Sequence, residues 1–484
     1  GIIDAEPAPD IQWPEIAPLD GEPSPEGATE LDVPVPEGQA RAGRVSRNAE
    51  RLTGPEAACR IGDYRLDNAR ISVCIQSGFS SGQVSGHAGH IVDAHRADRP
   101  GTDWLDSVVH APSLGEIVIE EMGVVRDGGD GGVAVIRVAG RAVGMRAIQG
   151  SLPGSFVPPP IRAVTEFHLA PDEDEVEILT WMIGTPDGRG FVSMYDLVMF
   201  GDQTRLFVPG TADAWGPFPY VAAEADQVSY GWSAASGPFS LFELLADEIP
   251  GGMPIVYESE TIGVGEAVVH RRFFRVGTGD VESLRVVDES FVEFEMQAVP
   301  GTRIDVLDEA GKNVTRVRID DEGIGRIRVV PGRYVAQTYQ YAGGDLELPF
   351  EVTAENEPLV FQQADPARLQ VQVQDSEGNG LAARLDIRGT QNGRFFVVDD
   401  ANFALPAGDY TLTVTRGWHF SVAERQLVLA AGEAQSVAFE LEELIVMPGW
   451  TSGEFHQHAS PSLDSDVAVE QRVLSNVVEG VGFM

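Results

Sequence analysis

The sequence predicts a mainly β, multidomain protein: a large β-sandwich, two small β-sandwich modules in tandem, and a closing segment that turns to α/β. Three observations predict it. Short apolar runs separated by glycine-rich turns fill residues 46–294. One strand–turn–strand pattern then occurs twice between 295 and 443. After 444 the apolar spacing changes from that of strands to that of a helix.

Residues 1–45 are rich in Pro, Glu, Asp and Gly, as in Pro7-Ala8-Pro9-Asp10 and Gly21-Glu22-Pro23-Ser24-Pro25-Glu26, and show no sustained apolar periodicity. They are expected to form a disordered, acidic, extended linker. Such a spacer suits a bacterial protein tethered to the cell envelope as a lipoprotein, with its anchor upstream of Gly1, and equally suits an ordinary floppy terminus. An opening at Gly1 without methionine is expected of a processed or cropped start.

From 46 to 294 the strand runs include Glu116-Ile117-Val118-Ile119-Glu120, Gly132-Val133-Ala134-Val135-Ile136-Arg137-Val138, Val176-Glu177-Ile178-Leu179-Thr180-Trp181-Met182 and Thr204-Arg205-Leu206-Phe207-Val208. Arg126-Asp127-Gly128-Gly129-Asp130-Gly131 lies between two of these and predicts a hairpin turn. Ser240 to Asp247, ahead of Pro250, predicts a short helix. So long a run of strand and turn exceeds a single immunoglobulin-like unit and requires a larger sandwich.

The repeat follows. Ile304-Asp305-Val306-Leu307 leads into the turn Asp308-Glu309-Ala310-Gly311, and Val371-Gln372-Val373-Gln374 leads into Asp375-Ser376-Glu377-Gly378. Each copy later reaches a turn and a strand that opens on tyrosine, at Pro331-Gly332-Arg333-Tyr334 and Pro406-Ala407-Gly408-Asp409-Tyr410. Two modules, 295–365 and 366–443, account for this. The D-x-x-G turn and tyrosine strand start resemble those of carboxypeptidase-regulatory-like and Cna B-type modules. That resemblance implies spacers and stabilisers and supplies no binding site.

In the segment 444–484, Val469, Val473, Leu474, Val477 and Val478 fall at helical spacing over Val467–Glu479. Asp466 can cap the N-terminus of this helix and Gly480 its C-terminus. A strand before it and Val481-Gly482-Phe483-Met484 after it make the start of a parallel α/β unit.

Composition bounds the function. The chain has 484 residues, 43% of them hydrophobic and 23% charged, enough for about three folded domains. Its 75 acidic against 34 basic residues give a net charge of -41, and Lys312 is the one lysine. Such a polyanion is repelled by nucleic acid and by anionic membrane surfaces, so neither DNA nor RNA is expected as a partner. No apolar run is long enough for a transmembrane segment. Cys59 and Cys74 could form one bridge in an oxidising compartment or stay as two buried thiols.

The chemical signal is Phe455-His456-Gln457-His458. On an extended chain, residues two apart point the same way, so both imidazoles can reach one metal ion. Asp464, six residues on, could add a carboxylate oxygen, and such a mixed set suits Zn, Mn or Fe. The run Gly453-Glu454-Phe455-His456-Gln457-His458-Ala459-Ser460-Pro461-Ser462-Leu463-Asp464-Ser465, with Glu470, Arg472-Val473-Leu474 and Glu479-Gly480 following, resembles the opening of a PHP (polymerase and histidinol phosphatase) domain, closest to the CehA/McbA-type metallohydrolases.

That resemblance implies a distorted (β/α)7 barrel, of which this segment is a truncated first βα unit, with divalent metals that activate water against phosphoester or related ester bonds. It carries His456 and His458 onto the first two metal-binding histidines and Asp464 onto the loop aspartate. Glu454 stands where the family usually has Asp, and Ala459 where it often has Thr. The T-D-H motif and later ligands would lie beyond Met484, so this segment alone is expected to be inactive. Gly62-Asp63-Tyr64-Arg65-Leu66-Asp67-Asn68-Ala69-Arg70-Ile71 and Gly89-His90-Ile91-Val92-Asp93-Ala94 resemble the β-rich region ahead of some of these hydrolase domains, which implies a galactose-mutarotase-like supersandwich over 46–294.

Other signals read more simply. His87, His90 and His95 sit in and beside a glycine-rich loop, Gly78-Phe79-Ser80-Ser81-Gly82 lacks the helix a nucleophile elbow needs, and Asp172-Glu173-Asp174-Glu175 lacks a calcium-loop pattern. Trp215, Tyr220 and Trp232 could stack on carbohydrate, although packing is the commoner use of such residues in a sandwich. Two functions of different class follow. One is the front region and catalytic start of a secreted or envelope-anchored metal-dependent hydrolase with a small ester or phosphoester substrate. The other is an extracellular carbohydrate-binding or adhesive protein without catalysis.

Overall fold

The computed structural model describes residues 11–78, 87–145, 161–201, 204–210, 217–225, 227–241, 252–285, 289–339, 346–362, 365–446, 448–459, 467 and 469–483. The chain forms two compact units, one within residues 1–286 and one made of 287–460 with 467–484. Both are mainly β, and their sheets are mostly antiparallel.

The first unit holds two eight-stranded sheets. One runs in the spatial order Ala40–Arg44, Tyr64–Asn68, Ile71–Ile75, Ile91–Arg96, Leu105–His110, Tyr195–Phe200, Gly252–Val256, Ser240–Leu241. The other runs Arg205–Phe207, Tyr220–Glu224, Ser229–Ala234, Ala267–Gly277, Glu175–Ile183, Arg162–Leu169, Ala134–Gly144, Gly115–Arg126. Alternation sorts their side chains. In Glu175–Ile183, Val176, Ile178 and Met182 join Leu66, Ile91, Val108 and Val198 of the first sheet in the main core, while Leu179, Trp181 and Ile183 form a separate cluster on the opposite face. The expected hairpin is present. Gly115–Arg126 pairs with Ala134–Gly144, and Asp127 and Asp130 each accept the N–H two residues on. Gly128 is required there, because a Cβ would lie 2.2 Å from the Ala40 carbonyl oxygen.

Two expectations need correction. Ser240 and Leu241 pair with Val256 and Ile255 as strand, and the rest of the expected helix lies outside the described residues. Residues 11–45, expected as the larger part of a disordered linker, lie against the first unit. Gln12 bridges Glu266, Ser24 bridges Val124, Gly27 bridges Gly43, and Leu31 is 1% exposed. The prolines leave this segment few hydrogen bonds of its own, but its carbonyl oxygens remain acceptors and the sandwich supplies donors to them. The Cys59–Cys74 bridge is formed, fixing one of the two alternatives for these residues.

The second unit explains the repeated motif. Over the first repeat, a three-stranded sheet (Ile324–Val329, Val292–Gln297, Leu359–Val360) and a four-stranded one (Asn313–Arg318, Arg303–Asp308, Gly332–Tyr339, Glu347–Val352) enclose Phe294, Met296, Ile304, Val306 and Ile327. The second repeat is a seven-stranded sheet in the order Ala423–Leu429, Gly408–Thr415, Ala382–Gly389, Gly393–Val398, Asp400–Leu405, Ala367–Asp375, Ala434–Leu441. In the turns, Asp308 Oδ1 accepts the N–H of Ala310 and Lys312, and Asp375 Oδ1 that of Glu377 and Asn379. The tyrosines also match. Tyr334 OH donates to the Val330 carbonyl at 2.8 Å and Tyr410 OH to that of Pro406 at 2.9 Å, each four residues back, tying the strand start to its turn.

The end of this unit carries the helix Val469–Val478. Gly480 N–H donates to Val477 O and Val481 N–H to Asn476 O, a Schellman closure with Gly480 at φ 76°. Beyond it Phe483 bridges Gly453 in parallel. Arg384, on Ala382–Gly389, pairs with Glu479 at the end of the helix.

Candidate functional site

His456 and His458 lie just after the Gly453 bridge. Their Nε2 atoms are 2.9 Å apart and their ring centroids 5.0 Å apart, with His456 exposed and His458 half-buried. The backbone that carries them is held on both sides. Glu454 Oε1 accepts the N–H groups of Phe455 and His456 at 2.9 and 3.0 Å, and Arg472 Nε donates to the His458 carbonyl at 2.9 Å. Gln457, between the two histidines, exchanges two 2.6 Å hydrogen bonds with Asn476 of the helix. The alternation of an extended chain thus sends Gln457 to the helix and leaves both imidazoles together.

The donor set fits a divalent transition metal. Two bonds of about 2.1 Å at a tetrahedral angle separate their nitrogens by about 3.4 Å, so the rings would part by about half an ångström to take an ion. Asp464 lies outside the described residues. Among the described residues no third His, Cys, Asp or Glu joins the pair within 4.8 Å. The one such trio is Cys59, Asp63 and Cys74, whose sulfurs are bonded to each other and so offer no thiolate.

A second polar cluster, absent from the sequence expectations, is buried between the two sheets of the first unit. Asp196 sits opposite His110 in register, and its Oδ1 accepts from His110 Nδ1 at 2.8 Å and from Arg272 Nη1 at 2.7 Å. Its Oδ2 accepts from Tyr257 OH at 2.8 Å, which accepts in turn from Trp232 Nε1 at 2.6 Å. The Arg272 guanidinium also donates to Thr180 Oγ1. Burial pushes the Asp196 carboxyl up, but Arg272, His110 and Tyr257 outweigh it and hold the group below its ordinary range. With Asp196 ionised, His110 carries its proton on Nδ1.

His90 and His270 adjoin this cluster. Burial, with His110 and His87 nearby, pushes His90 down to about 3. Burial and Arg272 push His270 down to about 4. Both are therefore neutral above weakly acidic pH.

The remaining signals disperse. His90 is 1% exposed, its Nδ1 accepting from the His110 N–H, while His87 lies 3.7 Å from Glu116 and His95 Nδ1 bonds the Arg96 carbonyl. Asp172 accepts the Gly38 N–H, and Asp174 pairs with Arg70 and Arg96. Of the aromatic trio, Trp232 is 2% exposed and Tyr220 half-buried, while Trp215 lies outside the described residues, as do Ser80 and Ser81.

No protein-family model matches the sequence, and no curated protein matches it. Solved structures with some likeness include the Bacillus anthracis TIE protein, at 14% identity and a TM-score of 0.16 over 56% of this chain and 55% of that one. A putative aldose 1-epimerase from Escherichia coli aligns at 10% identity and a TM-score of 0.26 over 45% of this chain and 99% of that one. The heparan sulfate lyase HepC from Pedobacter heparinus aligns at 7% identity and a TM-score of 0.29 over 56% and 40%.

Proposed function

We propose that this chain is the β-rich front region and the opening of the catalytic domain of a PHP-type metal-dependent hydrolase acting on phosphoester or related ester bonds. The observation that carries the reading is the His456–His458 pair, Nε2 to Nε2 at 2.9 Å, set beside a parallel Gly453–Phe483 bridge with one helix between its two halves. A parallel pair joined through a helix is the unit from which α/β sheets are built. In such sheets ligands bind at the carboxyl ends of the strands, and His456 and His458 follow Gly453 in the chain.

In this reading His456 and His458 hold a Zn, Mn or Fe ion, and Asp464 adds a carboxylate oxygen. The ion, when bound, lowers the pKa of a water and polarises the scissile bond. Glu454 and Arg472 fix the backbone on either side of the imidazoles, and the Gln457–Asn476 pair keeps the strand end against the helix.

The test is metal binding by this chain, followed as Zn²⁺-dependent shifts of histidine side-chain resonances. The expected result is saturable shifts at two histidines, lost in His456→Ala and in His458→Ala, and weakened in Asp464→Asn. Shifts that survive both alanine substitutions sink the proposal.

A further inference from the structure

The outer face of the second sheet in the first unit carries Ala139, Val164, Leu179, Trp181 and Ile183 beside a buried Arg137–Glu166 pair. A solvent-facing sheet surface would expose these side chains, yet Trp181 and Glu166 are 0% exposed. The cover is the N-terminal segment. Ile11 packs on the apolar cluster, Gln12 N–H donates to the Gly265 carbonyl, and Gln12 O accepts the Ala267 N–H. Trp181 Nε1 donates to the Ile16 carbonyl at 2.7 Å. Arg137 donates to the carbonyls of Leu19 and Gly21, and Leu19 N–H returns to Glu166 Oε1 at 3.0 Å.

The way the segment is held indicates what the face accepts. Apart from Ile11 and the half-buried Pro14, Pro18 and Leu19, it is gripped through its main chain, and Trp13 and Ile16 stay 39% and 41% exposed. Pro14 and Pro18 keep the segment extended and reduce the entropy lost on docking. Past Gly21, at φ 120°, the chain stays docked, and Ser24 bridges Val124 of the same sheet.

We propose that this face is a docking groove for an extended, proline-containing polypeptide segment, read through its backbone carbonyls by Trp181 and Arg137 and filled here by residues 11–21. The occupant is replaceable, because few of its own side chains are read. Supplied in trans, such a segment takes the same place.

The experiment uses the full chain with a protease site inserted between Glu22 and Pro23, cut in the folded state. The probe is a fluorescein-labelled synthetic peptide of residues 11–22. The expected result is that the cut fragment leaves on dilution, the body keeps its circular dichroism and cooperative melt, and the probe binds saturably to the cut but not the uncut protein. Trp181→Phe, which keeps the ring and removes one donor, weakens probe binding about fivefold, the size of one ordinary hydrogen bond. Any of three results overturns the proposal: a body that unfolds once the fragment leaves, a fragment that no dilution or peptide displaces, or a probe that binds the uncut chain equally well.

Discussion

Asp196 shows how much one buried carboxylate can decide. It is 0% exposed and balances Arg272, also 0% exposed, while orienting His110 and Tyr257. Replacing it with Asn keeps the shape but leaves the guanidinium without a counter-charge in the interior. The expected loss is about 3–5 kcal/mol in urea unfolding of the first unit, the cost of breaking a buried pair from one side. The double change Asp196→Asn with Arg272→Met is expected to cost less than Asp196→Asn alone, because no unpaired charge remains.

At the scale of elements, the strand ladders impose a pH response. His90 and His270 titrate near 3 and 4 when folded but near 6.5 when unfolded, so the unfolded chain binds more protons throughout that interval. Their contribution is whole above pH 6.5 and lost as pH falls towards the folded values. Asp93 and Asp103 work the other way: burial raises both, so their contribution is whole below pH 3.8 and fades as pH rises. His270→Gln isolates one histidine. Between pH 6 and 4 the wild type is expected to lose stability relative to this variant by about 1 kcal/mol per pH unit, measured by urea unfolding at each pH.

The loop between Cys59 and Cys74 gives a second prediction at this scale. The bridge joins residues 15 apart, so reduction is expected to lower the stability of the first unit by about 3 kcal/mol through the freer unfolded chain. Thermal melts with and without a phosphine reductant read it. Elements of this kind were legible in different degrees. The hairpin at Arg126–Gly131 and the paired turns at Asp308 and Asp375 were, because a turn is dictated by the residues inside it. The polar cluster was not, since His110, Asp196 and Arg272 come from three distant strands. Its one trace is a charged residue in phase with inward apolar neighbours, as Arg272 is with Phe274 and Val276. The docked N-terminal segment left no trace because its main chain, not its side chains, is recognised. At the candidate metal site, the histidine pair was legible from the H-x-H spacing, while its brace, Gln457 with Asn476, spans 19 residues and was not.

For the molecule as a whole the dominant quantity is the charge of -41. Arginine partners absorb part of it locally, as at Arg96–Asp174 and Arg316–Asp305, but most carboxylates repel one another across the surface. Salt shortens the reach of that repulsion from about 30 Å at 0.01 M to about 3 Å at 1 M. The melting temperature is therefore expected to rise with sodium chloride over this range, as scanning calorimetry would show. A flat or falling trend would mean that specific ion pairs outweigh the general repulsion.

In the seven-stranded module, Ala367–Asp375 and Ala434–Leu441 lie side by side and run in the same direction, in register from Arg368 with Ala434 to Asp375 with Leu441. They are the first and last strands of the module, so the chain arrives at one pole and leaves from the other, separated by about 25 Å of strand. Tension drawn along the polypeptide would therefore load this ladder in shear, straining its cross-links together instead of peeling them one at a time. A pulling experiment at its two ends is expected to meet its greatest resistance before the first strand slides.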